Sequence, residues 1–219
     1  MLPTPIVAEN EQVYEPAEDL FLLLDCFEQE KTYLQNRFRA PLVVEVGTGS
    51  GIVSTFITKH IATSTSHVIS TDLNPHACRQ AMETLTANGL HSGAIDVVQT
   101  SLTAGVRPQI VDVLVFNPPY VPAEEVPPTP QREDDPTWLD LALCGGPQGM
   151  DVTWELLNGL DLILSIKGVA YILFCARNEP DKVRHQMEHR GWHTEVVILR
   201  KAGWEVLCVI RFERGEKQS

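Results

Sequence analysis

The sequence predicts an α/β fold built on a mostly parallel, doubly wound sheet. Apolar strands alternate with helical patterns up to about residue 190, a glycine-rich turn follows the first strand, and two strands close the chain. Such alternation favours parallel pairing, and right-handed crossovers place helices on both faces of the sheet. With 219 residues, the chain suits a single domain over 1–219, with residues 1–40 as a helical segment packed on it.

The first predicted helix follows the stretch YEPAED, from Tyr14 to Asp19. Pro16 suits a first helical turn, and the acids after it favour the positive end of the helix dipole. Apolar residues then recur on one helical face, which predicts an amphipathic helix lying over the sheet. These residues are Leu20, Leu23, Leu24, Phe27, Leu34 and Phe38. Pro41 ends the segment.

The first predicted strand, Leu42 to Val46, runs into the sequence EVGTGSG. Glycines at 47, 49 and 51 let the backbone turn tightly and approach a ligand, and a helix over Ile52 to Ile61 points its N–H groups at that turn. The spacing is neither G-x-G-x-x-G nor a phosphate-binding loop, since no Gly-Lys-Ser/Thr follows. Taken alone, the glycine turn is weak evidence for a ligand, because many such turns only connect a strand tightly to a helix.

The second predicted strand, His67 to Thr71, ends at Asp72, and Asn74 caps a helix with Pro75 in its first turn. An acid in this position accepts hydrogen bonds from the ribose hydroxyls of a nucleoside. The alternative is an aspartate that caps the helix. A glycine turn and an acid one β-α-β unit apart favour the nucleoside site.

The remaining elements continue the alternation. A strand is predicted over Ala94 to Gln99, and Ser101 after it is placed to accept from the amino group of an adenine. Residues 118–136 form a proline-rich surface loop. Beyond the loop we expect helices over Trp138–Leu143, Asp151–Ile166 and Pro180–Arg190, and strands over Gly168–Ala176, Thr194–Leu199 and Glu205–Phe212. A connection over Arg200 to Gly203 joins the last two strands into a hairpin.

The stretch from Val111 to Tyr120 carries the clearest chemical signal. The apolar run that ends at Phe116 predicts a strand buried on both faces, and the two prolines of the following Asn-Pro-Pro-Tyr end it. These residues therefore lie where open α/β sheets bind ligands. The carbonyls of Asn117 and Pro118 can accept both hydrogens of one NH2 group while Tyr120 stacks on its plane. The alternative is that the two prolines only end the strand. We favour a binding role for Asn117 to Tyr120, which we call the clamp.

Composition excludes several other classes of protein. No apolar run approaches the length that spans a bilayer, and the N-terminus lacks a basic region followed by an apolar core, so we expect a cytosolic or nuclear protein. The five cysteines form no C-x-x-C pair, so neither a disulfide framework nor a metal site is predicted. A formal net charge of −12 disfavours binding to a phosphate backbone.

Taken together, EVGTGSG, Asp72 and FNPPY resemble the HemK-type class I S-adenosylmethionine-dependent methyltransferases. The added YEPAED, FNPPYVP, LDLALCGG and RKAGWEVL resemble the catalytic subunit of the eukaryotic class I release factor glutamine methyltransferase, over about Val13 to Phe212. The resemblance implies a seven-stranded sheet with its last strand antiparallel. It also implies methylation of the side-chain amide of the glutamine in a Gly-Gly-Gln motif of a translation termination factor.

The resemblance also implies roles for particular residues, with S-adenosyl-L-methionine as cofactor. The residues expected to contact the cofactor are Glu45, Gly47, Gly49, Gly51, Asp72, Ser101, Leu102 and Asn117. The residues expected to hold the glutamine are Asn117, Pro118, Pro119 and Tyr120. Two positions depart from the family pattern: Ser101 stands where Asp is frequent, and Leu20 where close relatives have Thr.

Two other functions stay open, because Asn-Pro-Pro-Tyr is shared with adenine-N6 methyltransferases of nucleic acid and because a fold alone does not guarantee activity. The resemblance further implies a heterodimer with a small zinc-binding activator of methyltransferases. In the implied sheet order, the strand near Ala94 to Gln99 lies at an edge and is almost continuously apolar. We therefore expect the partner to add a strand there, with Val97 as a candidate contact.

Overall fold

The computed structural model describes residues 2–91, 93 and 95–215. In this part of the chain the strands are β1 (Leu42–Val46), β2 (His67–Asp72), β3 (Ile95–Gln99), β4 (Val111–Phe116), β5 (Leu164–Cys175), β6 (Trp192–Ala202) and β7 (Glu205–Arg214). The helices are α1 (Glu18–Arg37), α2 (Ile52–Phe56), α3 (Pro75–Ala87), α4 (Trp138–Leu143), α5 (Asp151–Ile163) and α6 (Pro180–His189).

The described strands form a seven-stranded sheet in the order β3-β2-β1-β4-β5-β7-β6. Strands β1 to β5 pair in parallel, β7 pairs antiparallel with β5, and β6 pairs antiparallel with β7. The last strand therefore runs against the others, which confirms the fold expected from the sequence. None of the helices in the described residues is both long and apolar enough to cross a membrane.

Strand β4 is buried on both faces of the sheet, as its unbroken apolar run predicts. Val113 and Val115 belong to the hydrophobic cluster that α1 and α2 cover, whereas Leu114 and Phe116 belong to the cluster beneath α5 and α6. Successive side chains of a strand point to opposite faces. Strand β4 therefore joins the two cores and fixes the position of the residues that follow it.

Helix α1 is held on the sheet by apolar packing and by one buried polar group. Leu22, Leu23 and Phe27 are at most 1% exposed. Farther along the helix, the Glu30 carboxylate accepts a hydrogen bond from Tyr171 Oη at 2.7 Å and pairs with the Arg211 guanidinium. The helix on the sheet spans residues 18–37, whereas residues 2–17 contain no helix, so the helical part of the predicted 1–40 segment is shorter than expected.

The helix predicted over Asp151 to Ile166 is shorter than expected, because β5 already begins at Leu164. A Cβ at Gly168 would lie 2.6 Å from the carbonyl oxygen of Val111. The glycine therefore marks a close approach of β4 inside the strand, next to a register shift, and not the start of the strand. The apolar helical pattern continues through the first residues of the strand, which hides the boundary.

The remaining predicted elements are present with shifted bounds. Helix α2 continues as a π-helical turn over Ile57–Ile61. Ala94, the predicted first residue of the third strand, lies outside the described residues. Strands β6 and β7 are longer than predicted, and the connection between them is reduced to Gly203 and Trp204. Gly203 has φ +58°, and a left-handed residue suits such a two-residue hairpin turn.

Candidate active site

A cavity of about 290 Å³ opens at the carboxyl ends of β1, β2, β3 and β4. The strand order reverses between β1 and β4, the switch point where doubly wound sheets bind ligands. The volume lies just below the usual range for ligand pockets, about 300–1,000 Å³. The predicted residues that line it are Gly47, Gly49, Asp72, Ser101, Leu102, Asn117 and Pro119. The predicted residues outside the lining are Glu45, Gly51, Pro118 and Tyr120.

The turn after β1 brings backbone to the cavity. Gly47, Gly49 and Gly51 have φ of +64°, +52° and +75°, values that disfavour a side chain. Gly47 and Gly49 line the cavity. At Gly51 a Cβ would lie 2.6 Å from the Cα of Ala81, so this glycine lets α3 pack closely against the turn. Its predicted cofactor contact therefore stays a prediction, while its packing role is visible.

Glu45 lies beneath the turn and braces it. One carboxylate oxygen accepts hydrogen bonds from Thr48 Oγ1 at 2.7 Å, from Ser54 N at 3.1 Å and from the Ser54 hydroxyl. The residue is 4% exposed, and burial raises the pKa of its carboxyl to about 8. Glu45 thus ties the start of the turn to the start of α2.

Asp72 at the end of β2 faces the cavity and holds two loops. Its carboxylate oxygens accept hydrogen bonds from Gly49 N at 2.9 Å and from Asn74 N at 2.8 Å. Burial raises the pKa of this carboxyl, and the backbone donors oppose the rise. The cap of α3 is Asn74, whose side chain accepts from His76 N. Helix capping therefore does not explain Asp72.

The loop after β3 supplies Ser101 and Leu102 to the lining. Leu102 has φ +46°, and its carbonyl accepts a hydrogen bond from Thr71 Oγ1 at 2.8 Å. A leucine in this left-handed conformation is uncommon and must be held by its surroundings. The loop is thereby fixed against β2. The adenine contacts expected of these two residues stay predictions.

The side chain of Asn117 has a fixed orientation. Its Nδ2 donates to Asp19 Oδ2 at 2.9 Å, while its Oδ1 is buried with no hydrogen-bond partner. Buried polar atoms without partners are rare, and each calls for an explanation. Among the described residues with such an atom, Asn117 also lines the cavity, so its Oδ1 is a candidate acceptor for a ligand N–H group. The clamp itself stays a prediction.

Asp19, which the sequence did not single out, orients this amide. It is 2% exposed, and its other oxygen accepts from Leu20 N at 2.8 Å and from Tyr14 Oη at 3.3 Å. Burial raises the pKa of its carboxyl. The only signal for Asp19 in the sequence is its place in YEPAED. An acid in a first helical turn is already explained by its interaction with the helix dipole.

The other clamp residues differ in whether they line the cavity. Pro119 lines it, while Pro118 is buried behind the lining. Tyr120 donates through its hydroxyl to Glu205 at 3.4 Å, and its carbonyl accepts from Asn178 Nδ2 at 3.0 Å. Among the described residues, no group of three or more His, Cys, Asp or Glu side chains could hold a metal ion.

Comparison with known proteins identifies the family. Residues 20–129 match the family described as methyltransferase small domain. The chain is 37% identical to the eRF1 methyltransferase catalytic subunit mtq2 of Schizosaccharomyces pombe, over 98% of this chain and 96% of that protein. It is 35% identical to the human methyltransferase HEMK2, over 93% of this chain and 90% of that protein.

A solved structure extends the comparison to three dimensions. It belongs to the Mtq2-Trm112 complex of E. cuniculi, responsible for the methylation of the eRF1 translation termination factor. That chain is 28% identical with a TM-score of 0.67, and the match covers 93% of this chain and 99% of that one. The chain described here belongs to the methyltransferase small-domain family, and within it to the group of methyltransferases that contains mtq2 and HEMK2.

Proposed function

We propose that this chain transfers a methyl group from S-adenosyl-L-methionine to the side-chain amide of a glutamine. The glutamine is that of the Gly-Gly-Gln motif of the eukaryotic class I release factor. The observation that carries the proposal is the buried Oδ1 of Asn117, which has no partner and whose amide Asp19 holds in place. The relative named as eRF1 methyltransferase catalytic subunit and the Mtq2-Trm112 complex that methylates eRF1 support the same substrate.

The polar groups that line the cavity fit the cofactor. Gly47 and Gly49 expose backbone without side chains, and the carboxylate of Asp72 keeps lone pairs for ribose hydroxyls, as in other nucleoside sites. Ser101 and Leu102 would lie along the base. The cofactor supplies an activated methyl group when it is bound.

The chain itself contributes position and electrostatics. Asn117 Oδ1 accepts one hydrogen of the substrate amide, and the neighbouring Pro118 carbonyl is the expected acceptor for the other. Both acceptors place partial negative charge beside a nitrogen on which positive charge develops, so they favour the transition state. Holding the amide in a near-attack geometry supplies the rest. No general base is required at the clamp, since the proton can leave to water after transfer.

We further propose that the chain works as a heterodimer with a small zinc-binding activator of the Trm112 type. Strand β3 ends the sheet and pairs only with β2 in the described structure. Ile95 is buried and Val97 packs partly on the core, whereas Asp96, Val98 and Gln99 are exposed. A partner strand added here would cover Val98. Val97 is therefore the wrong residue to alter in a test of this interface, and Val98 is the right one.

Transfer of labelled methyl from the cofactor by the coexpressed heterodimer tests the proposal. The acceptors are a release-factor domain with its Gly-Gly-Gln motif, the same domain with that glutamine changed to alanine, and duplex DNA. We expect label on the first acceptor alone. Label on DNA would favour adenine methylation, and no label on any acceptor would favour a non-catalytic interaction module.

Two variants separate the cofactor site from the clamp in the same assay. Asp72→Ala should weaken cofactor binding by about 1–3 kcal/mol, because a buried donor loses its acceptor. Asn117→Ala should abolish transfer and leave the cofactor dissociation constant nearly unchanged. The proposed roles would be contradicted if Asp72→Ala bound the cofactor normally while Asn117→Ala lost cofactor affinity. Full turnover by Asn117→Ala would contradict them as well.

A further inference from the structure

The tip of the hairpin formed by β6 and β7 lies on the same side of the sheet as the cavity, where the parallel strands have their carboxyl ends. Strand β7 runs antiparallel to β5, and Leu207 pairs with Cys175, the last residue of β5. The two turn residues, Gly203 and Trp204, therefore lie beyond the carboxyl end of β5. This is the edge from which Asn117 to Tyr120 extend after the neighbouring β4.

Hydrogen bonds and packing fix the tip next to the clamp. Glu205, the residue after Trp204, accepts a hydrogen bond from Tyr120 Oη at 3.4 Å and pairs with the Arg177 guanidinium. On the other side of the turn, Ala202 packs against the core that α1 covers. The tip is therefore an anchored part of the rim around the clamp.

Trp204 on this anchored tip is fully exposed, with a relative exposure of 103%. No exposed large apolar side chain among the described residues is more open; the next is Ile166 at 88%, near the start of β5 and hence at the opposite edge of the sheet. Tryptophan is strongly enriched among residues that dominate binding energy when a partner covers them. An aromatic side chain on a rigid support loses little conformational freedom when a partner binds.

We propose that Trp204 is a docking residue for the folded protein that presents the glutamine, an inference that rests on the proposed function. A glutamine side chain is short, so when it reaches Asn117 the protein body that carries it must lie against the rim. Trp204 stands on that rim and offers an apolar face. The partner strand proposed at β3 is at the other end of the strand order, so the activator does not cover this residue.

Two substrates and three variants test the inference with the heterodimer. The substrates are the intact release-factor domain and a short peptide containing Gly-Gly-Gln. Trp204→Ala should raise KM for the domain about tenfold or more, with kcat, the kcat/KM for the peptide and the cofactor dissociation constant unchanged. Trp204→Phe should recover most of the loss. The control Ile166→Ala, at the opposite edge, should match the parent on both substrates.

Three results would overturn the inference. An unchanged KM of Trp204→Ala for the domain would remove the docking role. An equal loss on the peptide would assign the effect to the clamp itself. A concentration-dependent dimer of heterodimers that Trp204→Ala abolishes would assign the surface to a second copy. If the parent methylates neither substrate, the proposed function fails first, a result distinct from an active parent whose variant is unaffected.

Discussion

At the scale of single residues, the site depends on the direction in which one amide points. Asp19 is a pure acceptor when ionised, so it selects the NH2 end of Asn117 and leaves Oδ1 free. Leu20 N and Tyr14 Oη fix the carboxylate in turn. Asp19 is therefore a positioning residue, which acts on the substrate through Asn117.

We expect Asp19→Ala to lower kcat roughly tenfold or more, because a hydrogen bond to a charged group contributes about 1.5–3 kcal/mol. The released amide of Asn117 could then rotate and present its NH2 end to the substrate. The cofactor dissociation constant should stay within twofold of the parent, roughly 0.4 kcal/mol. Steady-state kinetics and calorimetry measure the two quantities.

Glu18→Ala is the matched control for this prediction. Glu18 lies in the same first turn of α1 but is exposed. If both acids act only on the helix dipole, the two variants should lose similar amounts of activity and stability. A loss of kcat confined to Asp19→Ala, with partial recovery in Asp19→Asn, is the signature of an oriented amide.

The residues that face the cavity are easier to predict from the sequence than the residues that support them. Asp72 and Asn117 follow apolar strands directly, so their place at the sheet edge follows from the local pattern alone. Asp19 is separated from Asn117 by 98 positions, and no local spacing records their contact. The packing of Gly51 on Ala81 is likewise a tertiary contact that no turn pattern contains.

At the scale of elements, the turn between β1 and α2 contains a buried acid with a displaced pKa. The ordinary pKa of Glu45 is 4.5 and its value in the fold is about 8. The folded chain therefore keeps a proton that the unfolded chain releases between these values. The stabilisation from this proton is complete below pH 4.5 and is lost as the pH rises towards 8.

We expect Glu45→Gln to make the turn less sensitive to pH. Its side-chain oxygen can still accept from Thr48 and Ser54, and it has no charge to bury. Relative to the parent, the variant should become more stable as the pH rises from about 5 to about 8. Thermal unfolding midpoints of the parent and variant heterodimers at both values measure this. A constant difference would contradict the raised pKa.

The edge strand β3 gives the second prediction at this scale. Val98 is 37% exposed on the strand that ends the sheet, so Val98→Lys should place a charge at the proposed partner interface. We expect the complex with the activator to weaken at least about tenfold, or about 1.4 kcal/mol. Ile166→Lys is the control, since Ile166 is exposed and lies on a different strand. Equal dissociation constants for both variants would contradict strand addition at β3.

Element types followed from the sequence more closely than element boundaries did. The apolar run of β4 and the cap at Asn74 are local signals, and both elements form where predicted. The boundary between α5 and β5 was misplaced because Leu164 to Ile166 continue the apolar pattern of the helix. What ends the helix there is pairing with β4, a contact outside the segment.

At the scale of the whole molecule, the orientation of the clamp depends on contacts between the first helix and the strands of the C-terminal part of the chain. Asp19 is on α1, and α1 is fixed to β5 and β7 through Glu30, Tyr171 and Arg211. Glu30 and Arg211 are 8% and 7% exposed, so this is a buried ion pair. The cost of burying two charges can offset the gain from pairing them, so the pair need not add net stability. Its geometry nevertheless fixes where α1 lies on the sheet.

The buried pair leads to a prediction about coupling between α1 and the sheet. Glu30→Leu alone removes the acceptor of Tyr171 and leaves Arg211 with Glu195 and Glu213. We expect a loss of up to about 3–5 kcal/mol in the free energy of unfolding, the usual cost of breaking a buried pair. Adding Arg211→Leu removes the charge left behind, so the double variant should be more stable than the sum of the single losses predicts.

Denaturant unfolding of the parent, the two single variants and the double variant measures the interaction energy of the pair. We expect a coupling of about 0.5–3 kcal/mol, as found for residues in direct contact. Strict additivity would contradict a shared buried network. The activity of the double variant then tests how the clamp is assembled. If apolar packing of α1 is enough to place Asp19, transfer should survive without the ion pair; a lower kcat would show that the pair sets the position of Asp19.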